Sequence, residues 1–299
     1  MLSLVINIVV VLILFVPQLC LGGQVTDQVG REVTVPDSPK RLVALAPNVA
    51  EIVFLLGRGE VLKGATQYSN HPEAAKLLPR VGSYVRLDVE KIVALKPDLC
   101  LAVRDGNPIH SVERIESLGI PVYVVDPHSL ADIMDVVLRI GGILGVRERA
   151  LEIVVNMERR IKLIRDKLTS DVPRPGVFFQ IDAAPIISAG SNTFIHELIV
   201  TAGGRNLAAG VKQYPRFGWE DIIIMQPDIA IIASMAGGHS VANLKESWRK
   251  WPQLRVVKNN RLHVVDADLI DRPTPRLIDG LEEFAVIIHP ELFGERSGK

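Results

Sequence analysis

The sequence is short of cysteine, of aromatic residues and of net charge, and each shortage removes a class of function. Cys20 and Cys100 are the two cysteines among 299 residues. Cys20 falls in an apolar leader, so the body of the chain holds one cysteine, which excludes an internal disulfide or a cysteine metal site there. Cys100 stands in the apolar run 99–103 and reads as an inert core thiol. Aromatics make up 5% of the chain, and 34 basic residues balance 34 acidic ones. That balance offers no basic field to draw nucleic acid or an anionic membrane surface. The seven histidines are scattered, without an HExxH pair or a His-rich loop, which argues against a zinc or manganese carrier. GxSxG, P-loop and kinase signatures are missing. Gly57-Arg58-Gly59 follows a helical pattern rather than a strand, so it is no dinucleotide fingerprint. No enzyme class finds its signature here.

What is present begins with residues 2–21, almost wholly apolar and interrupted by Asn7, Pro17 and Gln18. The run leads into Gly22-Gly23-Gln24, a small-residue exit that fits a cleaved signal peptide over 1–23. The same run is long enough to stay as an N-terminal anchor, since about 20 apolar residues span a bilayer. Both readings put the remaining chain outside the cytoplasm, in the periplasm. Leu19 ahead of Cys20 is too large for a good lipidation site.

From Arg41 onward, short apolar runs alternate with helical stretches. Strands are predicted over 42–46, 61–66, 98–103 and 121–125, and helices over 48–56, 90–96 and 109–118. Asn48 is the expected N-cap of the first helix, with Glu51 closing a capping box. Residues 129–145 read as a helix. Residues 147–169 read as a longer one, with Leu151, Val154, Val155, Ile161, Ile164 and Leu168 on its apolar side. At 1.5 Å per residue it is a rod of roughly 33 Å, long enough to run between two lobes. Pro173 and Pro175 end it, and the alternation resumes: strands over 177–181, 185–188, 228–234 and 261–265, helices over 193–202 and 276–288. Strands alternating with helices imply parallel α/β lobes.

Residues 88–102 recur at 218–232. Glu90, Ile92, Pro97 and Asp98 match Glu220, Ile222, Pro227 and Asp228 in place, and the apolar positions match in type. In each copy a short helix begins near the Glu, the Pro ends it, and the Asp opens a buried strand. A looser echo runs from Ala46 to Tyr68 and from Ala189 to Tyr214, each closing on Gln-Tyr. Two lobes with a tyrosine at matching loops suggest a cleft with an aromatic on each wall, and clefts between domains are common small-molecule sites.

Four segments carry a resemblance: Gln67-Tyr68-Ser69-Asn70, the run from Val89 to Leu99, the run from Ser117 to Val122, and Asp271-Arg272-Pro273-Thr274-Pro275-Arg276. Over about 41–293 the chain resembles the periplasmic binding proteins of iron-siderophore, haem and cobalamin ABC importers, and most of all the cobalamin-binding members. The resemblance implies two Rossmann-like α/β lobes joined by one long rigid backbone helix, the class III arrangement of helical-backbone metal receptors. It sets the lobes at 24–145 and 171–299, with the linking helix at 146–170. It implies a monomer that binds cobalamin or a related corrinoid as cargo and delivers it to an ABC permease and ATPase complex. A ferric siderophore or haem is the alternative cargo, and Arg86, Arg216 and Arg272 are available for an anionic siderophore. An extracytoplasmic tetrapyrrole-modifying enzyme is the other class of reading; it would need His71 or Asp268 as base or ligand.

The resemblance also nominates residues. Tyr68 matches a loop tyrosine that contacts the corrin, where a flat ring gains by stacking. Tyr84 and Tyr214 stand where the family has tryptophans. Asp268, Leu269, Ile270, Asp271 and Arg272 match the ligand loop of the second lobe, with Leu269 and Ile270 replacing aromatics; the local alternative is that Asp271 and Arg272 pair with each other. Glu90 and Glu220 match the glutamates that dock onto permease arginines, although a Glu in a first helical turn is also favoured by the helix dipole. His71 is a weak candidate axial ligand to haem iron or cobalt.

Overall fold

The computed structural model describes residues 22–183, 185–233 and 241–294. The leader 2–21 lies outside them. Four parallel strands, Leu42–Ala44, Leu62–Ala65, Leu99–Val103 and Val122–Val125, form the first sheet. Four more, Gly176–Gln180, Arg205–Asn206, Ile229–Ile232 and Leu262–Val264, form the second. Numbered along the chain within each sheet, both have the spatial order second, first, third, fourth. Leu99–Val103 and Ile229–Ile232 are buried at every residue, which is why they read as unbroken apolar runs rather than alternating ones. In each sheet the order reverses between the first and third strands, and a crevice opens beyond their carboxyl ends.

The repeated unit does the same work twice. Lys96 (φ 48°) and Gln226 (φ 45°) both take left-handed backbone directly before Pro97 and Pro227, so the short helices Val89–Ala94 and Trp219–Met225 stop there. The Asp98 carboxylate then accepts from the amides of Lys40 and Arg41 at 2.7 and 3.0 Å, while its own amide donates to the Arg41 carbonyl. Asp228 repeats this on Gly176, accepting from its amide at 2.7 Å and donating to its carbonyl. Each Asp thus sets the register of the two central strands at their amino ends. The caps differ. Asp88 accepts from the Lys91 amide at 3.1 Å, whereas Gly218 has no side chain to offer and the Asp221 carboxylate accepts from the Gly218 amide at 2.8 Å.

The linking helix spans Arg147–Lys167. Its buried face is Ala150, Ile153, Val154, Met157, Ile161 and Ile164. Val154, Ile161 and Ile164 are buried as expected, whereas Leu151 and Val155, also expected on the apolar side, are exposed. Gly141 lets the preceding helix, Leu130–Ile143, come close: a Cβ there would fall 2.4 Å from the Ala150 Cβ. At the other end Arg160 donates to Asp279 at 2.6 Å and to Glu282 at 2.6 and 2.8 Å on the last long helix, Leu277–Ile288. One hydrophobic cluster runs unbroken from Val33 and Leu42 through the linking helix to Val177, Phe284 and Ile288. The outer faces of the two sheets have separate smaller clusters, one around Cys100 and Ile92, the other around Phe178 and Trp248.

Several elements differ from the sequence reading. An antiparallel hairpin, Gly22–Thr26 with Glu32–Pro36, precedes the first parallel sheet, so the segment 1–23 overlaps the start of a strand. Residues 185–188 yield only Ile186–Ile187, in a small antiparallel sheet with Asp182–Ala183 and Arg216–Phe217 rather than in the parallel one. The helix Val241–Arg249 was not foreseen; it buries Trp248, whose indole donates to Gln180 Oε1 at 2.6 Å. The capping box on Asn48 does not form. Pro47 occupies the first turn, Ala46 is the N-cap, and Asn48 lies inside the helix Pro47–Leu55.

Candidate functional site

The crevice of the first lobe is organised by Asn107, which sequence reasoning did not single out. Its Nδ2 donates to the carbonyls of Leu45 and Tyr84, both at 2.8 Å, and its Oδ1 accepts from the Val103 amide at 2.8 Å. One buried carboxamide thereby ties the ends of both central strands to the Tyr84 loop. Tyr68 stands on a neighbouring loop, held from beneath. Thr66 and Ser69 share a hydroxyl contact of 3.1 Å, and Arg80 donates to the carbonyls of both at 2.8 and 3.0 Å. The two rings meet edge to face, with centroids 6.3 Å apart at 69°. Tyr68 is 56% exposed, so this aromatic corner is open on one side.

Tyr214 is half-exposed. Burial raises its phenol pKa, and so do the carboxylates of Asp105, from the first lobe, and Asp271, from the second. A tyrosine that feels a carboxylate of each lobe lies near their junction.

The loop of the second lobe crosses to the first. Asp266 caps the short helix Ala267–Ile270 by accepting from the Asp268 amide at 2.9 Å. Arg272 donates to Asp268 Oδ1 at 2.8 Å and to Asn70 Oδ1 at 2.6 Å, and Asn70 Nδ2 donates to Asp268 Oδ2 at 3.1 Å. These three side chains close a ring between the lobes. Arg272 therefore pairs with Asp268, not with Asp271. A second bridge lies below it: Glu51 accepts from Thr274 Oγ1 at 2.9 Å and from Arg276 Nη1 at 3.3 Å. Burial raises the Asp271 carboxyl to about 7, helped by the nearby Asp268 charge and opposed by Arg272.

Two of the nominated loop residues have other work. Ile270 is fully buried, seated where a Cβ on Gly280 would fall 2.6 Å from its Cγ2, and has no surface for a ligand. Leu269 packs against the same core. A four-residue helix that turns its last side chain inward explains the burial of Ile270. His71 is exposed. Among the described residues, the one group with donor atoms close enough to share a cation is Asp105, Asp126 and His128, within 4.8 Å of one another. Asp126 in that group is already paired with Arg104 and His128, each at 3.0 Å.

Glu90 and Glu220 both sit in the first turn of their short helices, fully on the surface. Neither carboxylate has a cationic partner among the described residues. Among the described residues the two matched acids are exposed without an ion pair, one on each lobe.

A family model described as periplasmic binding protein matches residues 42–269. The vitamin B12-binding protein of Vibrio vulnificus (strain CMCP6) is 30% identical over 246 residues, covering 82% of this chain and 88% of its own length. The crystal structure of the periplasmic vitamin B12 binding protein BtuF of Vibrio cholerae superposes with a TM-score of 0.74 at 28% identity, covering 85% of this chain and 98% of that one. A periplasmic heme binding protein from Pseudomonas aeruginosa superposes with a TM-score of 0.77 at 27% identity, covering 85% and 94%.

Proposed function

The chain belongs to the periplasmic binding protein family and is the substrate-binding component of an ABC importer, outside the cytoplasm; on that premise we propose that it carries cobalamin or a related corrinoid in the cleft between its lobes. The observation that carries this reading is the open aromatic corner of Tyr68 and Tyr84 beside the loop of Asp268, Asp271 and Arg272. A large flat macrocycle gains by lying on such rings, which bury much area at little entropic cost. Tyr214 supplies the facing ring from the junction. The Asp268 and Arg272 pair presents a forked donor and a carboxylate to peripheral amide groups. The lobes are 24–145 and 171–299, and the segment 146–170 joins them. The chain works as a monomer in the periplasm, and Glu90 and Glu220 dock onto cationic residues of the permease, fixing register more than adding affinity.

Haem is the second reading, favoured by one feature. The rings of this cleft are tyrosines, and a phenolate ligates ferric haem. Equilibrium titration of the exported chain with cyanocobalamin, haemin and ferric siderophores separates these cargoes. Saturable binding of the corrinoid alone supports the first. Absence of corrinoid binding at micromolar concentration overturns it, and saturable haemin binding with a tyrosinate charge-transfer band would put haem in its place.

A further inference from the structure

Asn48 is 5% exposed, and its Nδ2 makes no hydrogen bond. Nearly all buried amide groups in folded chains have a partner, so an orphan of this kind calls for a reason. The helix it belongs to, Pro47–Leu55, has Ala46 as N-cap with no side-chain cap, and no acidic residue in its first turn. The positive end of that helix is therefore uncompensated by the protein. Glu51, three residues on and on the same face, reaches Thr274 and Arg276 of the second lobe. Asn48 lies one turn nearer the N-terminus than Glu51 on the face that meets the second lobe, and helical side chains tilt toward the N-terminus, which places it at the end of the strand Leu42–Ala44. That is the switch point of the first sheet, where α/β folds hold ligands. Asn107 holds the carbonyls of Leu45 and Tyr84 at the same strand end.

We propose that Asn48 Nδ2 and the uncapped N-terminus of this helix form a subsite for an oxygen acceptor on the transported ligand, a carboxylate or carboxamide arm. The inference rests on the carrier reading and adds to it a polar floor beneath the aromatic walls. Both donors are pre-set, so the ligand oxygen completes bonds that the empty protein lacks. The helix end favours negative charge, so a carboxylate arm gains more than an amide carbonyl.

The test uses the full exported chain, Asn48→Ala and Asn48→Asp, with cyanocobalamin as the carboxamide probe and haemin as the carboxylate probe. Without ligand, Asn48→Ala is expected to melt no lower than wild type, because no hydrogen bond of Nδ2 is lost. Its affinity for whichever probe the wild type binds is expected to fall about tenfold, the value of one such bond. Asn48→Asp keeps the shape without the donor, and its affinity falls at least as far. A clear drop in the melting temperature of ligand-free Asn48→Ala would show a structural partner and overturn the subsite. Unchanged affinity in Asn48→Ala would also overturn it while leaving the carrier reading intact. If wild type binds neither probe, the cargo reading fails and the subsite, which rests on it, fails with it.

Discussion

Arg272 of the second lobe donates to Asn70 of the first at 2.6 Å, while its other arm holds Asp268 at 2.8 Å. The ligand loop is thus fixed against the opposite lobe rather than standing free. Arg272 is mostly buried and Asp268 half-exposed, so the pair is of moderate strength. Asn70→Ala removes one neutral partner and frees the guanidinium without stranding a buried charge. It is expected to cost about 1 kcal/mol of stability and to change ligand affinity several-fold, read from urea unfolding and titration on the same samples.

Glu51 behaves differently. Its side chain is nearly fully buried and its two oxygens hold Thr274 and Arg276. Glu51→Ala leaves Arg276 beside an empty site. A fully buried pair broken in this way costs roughly 3–5 kcal/mol, and the partial exposure of Arg276 lowers that to about 2–3 kcal/mol. Equilibrium urea unfolding measures it. A cost under about 1 kcal/mol would mean that the bridge between lobes is solvated.

Asp271 makes stability depend on pH. Its carboxyl is raised to about 7 in the folded chain, chiefly by burial, from an ordinary value near 3.8. The folded state therefore holds the proton that the unfolded state gives up. The stabilising contribution is complete below about pH 4 and is lost as pH rises through about 7. Asp271→Asn is expected to flatten this part of the profile. The check is the difference in unfolding free energy between wild type and Asp271→Asn at several values from pH 4 to 8, which should grow in favour of the variant as pH rises.

Glu90 and Glu220 are each exposed on their own lobe, in the first turn of a short helix. Charge reversal at both is expected to leave the ligand affinity of the purified chain unchanged and to abolish ligand uptake by cells carrying only that variant. Reversal of one should weaken uptake less than reversal of both. Loss of ligand binding in the double variant would contradict a docking role.

The two lobes were legible because their central strands, Leu99–Val103 and Ile229–Ile232, are covered on both faces and so appear as plain apolar runs. The repeat added the rest: Asp98 and Asp228 recur because each pins two adjacent strands. Tyr68 and Tyr214 were legible through the internal echo as well as family likeness, whereas Tyr84 and the Asp268 and Arg272 loop were legible only through family likeness. What stayed hidden depended on single turns of backbone. Pro47 shifted the helix start by two residues, which turned Asn48 from a cap into a buried orphan and released Glu51 to the other lobe. The four-residue helix Ala267–Ile270 rotated Ile270 out of the ligand loop and into the core. Asn107 gave no signal because its bonds all go to backbone atoms, at Val103 and at the sequence-distant Leu45 and Tyr84.

The central claim is that a flat corrinoid lies on the tyrosine walls of the cleft. The most direct measurement is equilibrium titration with cyanocobalamin of the exported chain and of the Tyr68→Ala, Tyr84→Ala double variant. One-to-one saturation of the wild type below about 10 μM, weakened tenfold or more in the variant with no change in fold, is the expected result. No saturation in the wild type, or equal affinity in the two proteins, would contradict it.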